Sequence, residues 1–214
     1  MLEVIDVNVH LGLKLFPAES PPVSFILNPS YKFACKCCVD GFYQQYLLYP
    51  EKPRLGIYNP ACRVPPEVEV SRQMERGIVG FVLNPINHDY NLRDISPLVR
   101  VLEKYDLPLM VYTGKGKGNP LHLTEHLSRV PLLILIHSGY PDYVTEAEVL
   151  LREEKVLFET SLVPPEVSLR FRGRRMFGSC YPFHRINFED RISSLMLDEK
   201  ERKGYAEALI KGIS

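Results

Sequence analysis

His137 closes the apolar run Leu132-Leu133-Ile134-Leu135-Ile136 and is followed at once by Ser138-Gly139. A polar ring at the end of a buried strand costs burial energy unless it finds partners or water. His137 therefore reads as a functional side chain, with an imidazole bonding a nearby loop carbonyl as the plainer alternative. His10 ends a second such run, Asp6-Val7-Asn8-Val9-His10-Leu11-Gly12, and also reads as a site residue. The five cysteines add soft chemistry: Cys180, Cys62 and the crowded Cys35-Lys36-Cys37-Cys38. A thiolate is a strong metal ligand, and binding the metal itself removes the thiol proton. The alternative is that buried cysteine packs as a small hydrophobe. The spacing Cys-x-Cys-Cys also differs from the paired Cys-x-x-Cys of zinc knuckles.

Several other motifs could carry chemistry. His88, in Asn87-His88-Asp89-Tyr90, follows an apolar run and reads either as a substrate contact or as an ordinary loop residue. His122-Leu123-Thr124-Glu125-His126 fits the H-x-x-E-H pattern of some zinc proteases. It would put both imidazoles on one face of a helix, yet no third ligand follows it, and a chance match is the stronger reading. Thr113-Gly-Lys-Gly-Lys-Gly-Asn119 could bring backbone amides and Lys115 or Lys117 to a carboxylate or phosphate; a surface turn is the mundane alternative. Arg170, Arg172, Arg174 and Arg175 read as a solvated basic face.

These residues need a frame. Short β-rich runs recur at Val4–Val9, Leu55–Tyr58, Ile78–Leu83, Leu109–Tyr112, Leu132–Ile136, Val156–Glu159 and Arg175–Phe177. Continuous hydrophobicity in a strand means burial on both faces, as parallel sheets require. Helical spacing appears at Leu98–Tyr105 and Val144–Leu151, with Asp94, Ser96 and Thr145 as N-cap candidates. Pro17–Pro53 reads as an elaborated loop holding one helix at Gly41–Leu48. The alternation predicts a (β/α) barrel or a doubly wound sheet. No Gly-x-Gly-x-x-Gly follows the first strand, which weakens the dinucleotide-binding version.

Composition narrows the setting. The 214 residues read as a single domain, 45% hydrophobic and 24% charged, with 26 basic and 26 acidic side chains. No net field steers such a chain to nucleic acid or anionic lipid. No run is long enough to span a bilayer. The opening Leu2–Val7 lacks the basic flank and apolar core of a signal peptide. Odd, crowded cysteines suit a reducing compartment. A cytoplasmic protein with a small-molecule substrate, without nucleic-acid or membrane partners and open to homo-oligomerisation, is the expectation.

The ordered segments Ile5–His10, Gly77–Pro85, Leu107–Gly114, Val130–Gly139, Val156–Ser161 and Met176–Pro182 resemble the amidohydrolase-related branch of the amidohydrolase superfamily. That branch includes aminocarboxymuconate-semialdehyde decarboxylase. The tail Glu201–Leu209 is similar to the helix that closes such barrels. The resemblance implies a small, distorted TIM-like (β/α) barrel of seven or eight parallel strands over residues 1–214. Its site would lie where the strands end, and two His from the first strand, later His residues and an Asp would hold a divalent metal. Carried over by position, His10 and His137 survive, while Asn8, Tyr112 and Cys180 stand where His, His and Asp would be. His10, Cys180 and His137 could hold zinc or iron. Loop cysteines Cys62, Cys37 and Cys38 on the same face would favour zinc, copper(I) or an iron–sulfur cluster.

The resemblance thus implies a divergent metal-dependent hydrolase or decarboxylase for a small carboxylated or cyclic substrate, with His10 and Cys180 on the metal and His137 as acid–base group. The altered ligands leave two alternatives. One is a barrel without catalysis, its metal site vestigial, serving binding or assembly. The other is a cysteine-ligated metal or iron–sulfur protein.

Overall fold

Runs of Val, Ile, Leu and Phe four to six residues long pack with both faces covered, and they form the staves of a barrel. The computed structural model describes residues 3–13, 18–31 and 39–212. Among them eight strands lie parallel and in chain order: β1 (Ile5–Val9), β2 (Ser24–Leu27), β3 (Arg54–Ile57), β4 (Ile78–Leu83), β5 (Leu109–Tyr112), β6 (Leu133–Ile136), β7 (Val156–Glu159) and β8 (Arg175–Met176). Every residue of β3 to β8 is buried. The ring nearly closes where Val7 N donates to Phe177 O (3.0 Å) and His10 N to Tyr181 O (2.7 Å). This is the TIM-like barrel expected, with eight strands.

The helices on the outside are α1 (Val39–Leu48), α2 (Pro66–Met74), α3 (Pro85–His88), α4 (Ser96–Lys104), α5 (Val144–Val149), α6 (Pro165–Ser168), α7 (Phe188–Leu195) and α8 (Tyr205–Lys211). Proline opens α2, α3, α4 and α6, where its fixed φ suits a helix and its missing N–H costs nothing. No helix of the described residues is long and apolar enough to cross a membrane.

Three expectations change. The stretch 17–53 holds a strand as well as a helix: Phe25-Ile26-Leu27 is buried as β2, too short a run between Pro22 and Pro29 to declare itself. Ile95 and Tyr143 occupy the N-cap positions of α4 and α5 and make no side-chain cap, so Ser96 and Thr145 are not their caps. The arginine run is not a uniform solvated face. Arg170 pairs with Glu148 outside, but Arg175 is fully buried at the foot of β8. Its Nε and Nη2 meet the two Glu201 oxygens at 2.7 and 2.6 Å, and Nη1 donates to Leu195 O at 2.9 Å. The pair straps the chain after β8 to the barrel's lower rim, and neither side chain is more than 1% exposed.

Candidate functional site

The upper rim gathers a different set of side chains, each from the last residues of a strand or just beyond. β1 supplies Asn8 and is followed by His10; Asn28 follows β2, Tyr112 ends β5, His137 follows β6, Glu159 ends β7 and Cys180 follows β8. Strand ends at this face are where barrel enzymes build their sites.

Backbone geometry here is special. His137, Ser138 and Cys180 have φ of 66°, 50° and 56°, a left-handed region that non-glycine residues avoid and that surrounding contacts must enforce. Glu159 does much of that enforcing. Its carboxylate accepts from His137 N (3.0 Å), Ser161 N (2.9 Å) and Ser161 Oγ (2.7 Å), and its carbonyl accepts from Ser138 Oγ (2.8 Å). Gly178 makes room for it, since a Cβ there would stand 1.6 Å from Glu159 Oε1. Asp6 staples the other side: its Oδ1 accepts from Asn8 N (3.0 Å) and Ser179 N (3.1 Å).

Between these anchors runs a network of neutral groups. Asn28 Nδ2 donates to Asn8 Oδ1 (2.8 Å) and to Tyr112 OH (3.1 Å). Asn8 Nδ2 donates to Ser161 Oγ (3.2 Å) and Cys180 Sγ (3.1 Å). Both hydrogens of each amide are thereby spent. The Tyr112 hydroxyl, already accepting from Asn28, has His10 Nε2 at 3.0 Å as the nearer acceptor for its proton. Cys180 Sγ lies 3.3 Å from Ser161 Oγ and 3.5 Å from His137 Nε2.

Burial sets the protonation of this floor. It pushes the His10 pKa down to about 3, with the Asn28 and Ser30 carbonyls opposing. It holds His137 well below the usual imidazole range, helped by His184 and Lys115. Burial first, then the proximity of Glu159, raises the Cys180 thiol, and burial also raises Tyr112. The exchangeable groups at neutral pH are two uncharged imidazoles, a phenol and a thiol.

That donor set does not fit a divalent ion. Zinc takes three or more ligands at about 2.0–2.3 Å around one point, usually with anionic charge among them. Here His10 Nε2 already has the Tyr112 hydroxyl at 3.0 Å, and the Asn8 oxygen already accepts from Asn28. Among the described residues no three His, Cys, Asp or Glu side chains converge closely enough to hold a metal.

Above the floor opens a cavity of about 430 Å³, to which His10, Tyr112, His137 and Cys180 all contribute, a volume suited to a small molecule. His10 stacks on Phe183 at 4.4 Å, and Tyr112 stands edge-on to His137 at 5.4 Å. Asn8 lies just beneath, fully buried. His88 and Cys62 do not line this cavity: His88 is buried beside Tyr90, and Cys62 packs against the main core. Cys35, Cys37 and Cys38 lie outside the described residues. The H-x-x-E-H segment is a 3-10 helix, Pro120–Arg129, where residues four apart are rotated by about 120°. His126 there bonds Leu92 O instead.

Asn28, Glu159 and Ser161 were not anticipated. Glu159 carried a readable signal, an acid ending the apolar strand Val156–Phe158, the same argument that picked out His137.

Solved structures share this architecture. A dihydroorotase superposes with a TM-score of 0.68 at 15% identity, over 98% of this chain and 69% of that one. The fold is a TIM-like barrel of the kind these amidohydrolases have. Amidohydrolase 2 from Bifidobacterium longum subsp. infantis (TM-score 0.63, 15% identity, 97% and 98% of the two chains) has it too. So does a Burkholderia multivorans amidohydrolase with bound zinc (0.58, 12%, 87% and 82%). No protein-family model and no curated protein matches the sequence.

Proposed function

We propose that this chain is an enzyme of the amidohydrolase fold that acts on a small molecule by acid–base chemistry between uncharged side chains. Hydrolysis or decarboxylation is the reaction class, in keeping with the sequence resemblance and the barrel. The observation that carries the reading is the pairing of His137 and Tyr112 on the floor of one small-molecule cavity. His137, uncharged at neutral pH, takes the proton of an attacking water or of the substrate through Nε2 and returns it to the leaving atom. The Tyr112 hydroxyl turns from His10 to a substrate oxygen as negative charge grows there. Asn8 and Asn28 hold that hydroxyl in place, and Glu159 holds the turn that aims His137. No step needs a metal.

A second reading, a barrel that binds without turnover, is favoured by the completeness of the Asn8–Asn28–Ser161–Cys180 network in the free protein. One experiment separates the two. A panel of small lactams, lactones and ring carboxylates is incubated with protein in excess EDTA, and products are followed by mass spectrometry. The account expects turnover that survives chelation and falls about 10²–10⁴-fold in His137→Ala. Saturable binding with no product would establish the second reading, and turnover unchanged in His137→Ala would remove His137 from the chemistry.

A further inference from the structure

Cys180 is set among polar groups, whereas Cys62 packs against the apolar side chains of the main core. The turn Gly178-Ser179-Cys180 follows β8 and is tied at each step. Gly178 N donates to Thr160 Oγ1 (3.3 Å), Ser179 N to Asp6 Oδ1 (3.1 Å) and Tyr181 N to Ser179 Oγ (2.9 Å). These bonds hold Cys180 at a φ of 56°, and its side chain, 4% exposed, lines the cavity. A cysteine that only fills space needs no polar neighbours.

Three groups meet the sulfur, and the rest of the network assigns their hydrogens. Asn8 Nδ2 donates to Sγ at 3.1 Å. Ser161 Oγ spends its own hydrogen on Glu159 Oε2 (2.7 Å), so it offers Sγ, 3.3 Å away, only a lone pair. His137 Nε2, at 3.5 Å, offers another when the imidazole proton is on Nδ1. The sulfur thus has one donor fixed on it and two acceptors for its proton. The donor steadies negative charge as it grows on sulfur. Of the two acceptors, only His137 also lines the cavity.

We propose that Cys180 is a nucleophile that attacks the carbonyl carbon of a small ester or amide, with His137 as its base. This rests on the cavity being a catalytic site, and it adds a covalent step ahead of water. Sγ bonds the carbonyl carbon, the thiol proton passes to His137 Nε2, and the carbonyl electron pair moves onto oxygen, where the Tyr112 hydroxyl is offered. The bond to the leaving atom then breaks, the leaving group takes the His137 proton, and a thioester remains. Water adds to the thioester and gives a proton to His137 Nε2. Sγ then departs with that proton as the carboxylic acid is released. Burial keeps the sulfur protonated at rest, so its proton leaves during the attack, as from a serine beside a histidine.

Short incubation of the full chain with p-nitrophenyl acetate tests this. Nitrophenolate release is followed by absorbance, and acetylated peptides are mapped by mass spectrometry after an acid quench. The expected result is an acetyl group on Cys180, with release above the uncatalysed rate at least about 10²-fold faster than in Cys180→Ala or His137→Ala. Cys180→Ser, which keeps the hydrogen bonds with a poorer nucleophile, should also be slowed, and Cys62→Ala should match the parent. Acetyl groups confined to other side chains, or release as fast from Cys180→Ala as from the parent, overturns the assignment. Acetyl-Cys180 that forms and is never hydrolysed would leave the nucleophile standing and remove turnover from the proposed function. Product from the lactam and lactone panel that is unchanged in Cys180→Ala would keep His137 with water and overturn the thiol step.

Discussion

The two ends of this barrel bury polar groups in opposite ways. At the foot, Arg175 and Glu201 meet as full charges in a bidentate pair, out of contact with solvent. At the mouth, Asn8, Asn28, Tyr112, His10 and Cys180 meet as neutral groups, and burial pushes each titratable one further toward its uncharged form. A buried ion pair makes removal of either partner expensive and holds a fixed geometry. A neutral network can pass protons along without separating charge in a low-dielectric site. The foot fastens the chain after β8, and the mouth keeps exchangeable protons beside a cavity.

Breaking the foot should have the largest effect. Glu201→Gln leaves a buried guanidinium without its counter-charge, and urea unfolding is expected to show a loss of about 3–5 kcal/mol. Replacing both partners with apolar residues (Arg175→Met with Glu201→Leu) should recover most of it. A single-variant cost under about 1 kcal/mol would mean that the pair does not fasten this end.

The next effect lies at the mouth. Gly178→Ala drives a methyl into the Glu159 carboxylate. It should cost about 1–3 kcal/mol and, by shifting Glu159, disturb the His137 turn and lower turnover per folded molecule. Turnover unchanged in folded Gly178→Ala would separate Glu159 from the placement of His137.

A third effect lies in pH dependence. Burial raises Asp6 from 3.8 to about 7, and its Oδ2, without a partner, has room for the proton. Between those values the folded state holds a proton that the unfolded state has released, so Asp6 lowers stability as pH rises by about 1.4 kcal/mol per unit. Asp6→Asn removes that contribution. Its stability between pH 4 and 7 should climb with pH more steeply than the parent's by about that slope. Parallel profiles would show that Asp6 is ionised in the folded protein.

How much of this was legible differs between the ends. The strands announced themselves because parallel staves are apolar on both faces, as in Leu133–Ile136. β2 did not, being four residues long between prolines. His10, His137 and Cys180 were readable because each sits where a strand ends, and the structure brings them to one cavity. The partners that hydrogen-bond to them were not. Asn28 and Ser161 reach the site through strand order and closure, which local pattern does not carry. Arg175 looked like its exposed neighbours Arg170 and Arg172, because a run of like charges says nothing about which member points inward. The distant Glu201 decides that.

The claim on which the site rests is that its floor is complete without a metal. Zinc titration of chelator-treated protein, followed by dialysis and elemental analysis, measures this directly. The account predicts well under one equivalent of zinc retained, the same in the parent and in His10→Ala and Cys180→Ala. One equivalent retained by the parent and lost in both variants would contradict it and return His10 and Cys180 to the role of metal ligands.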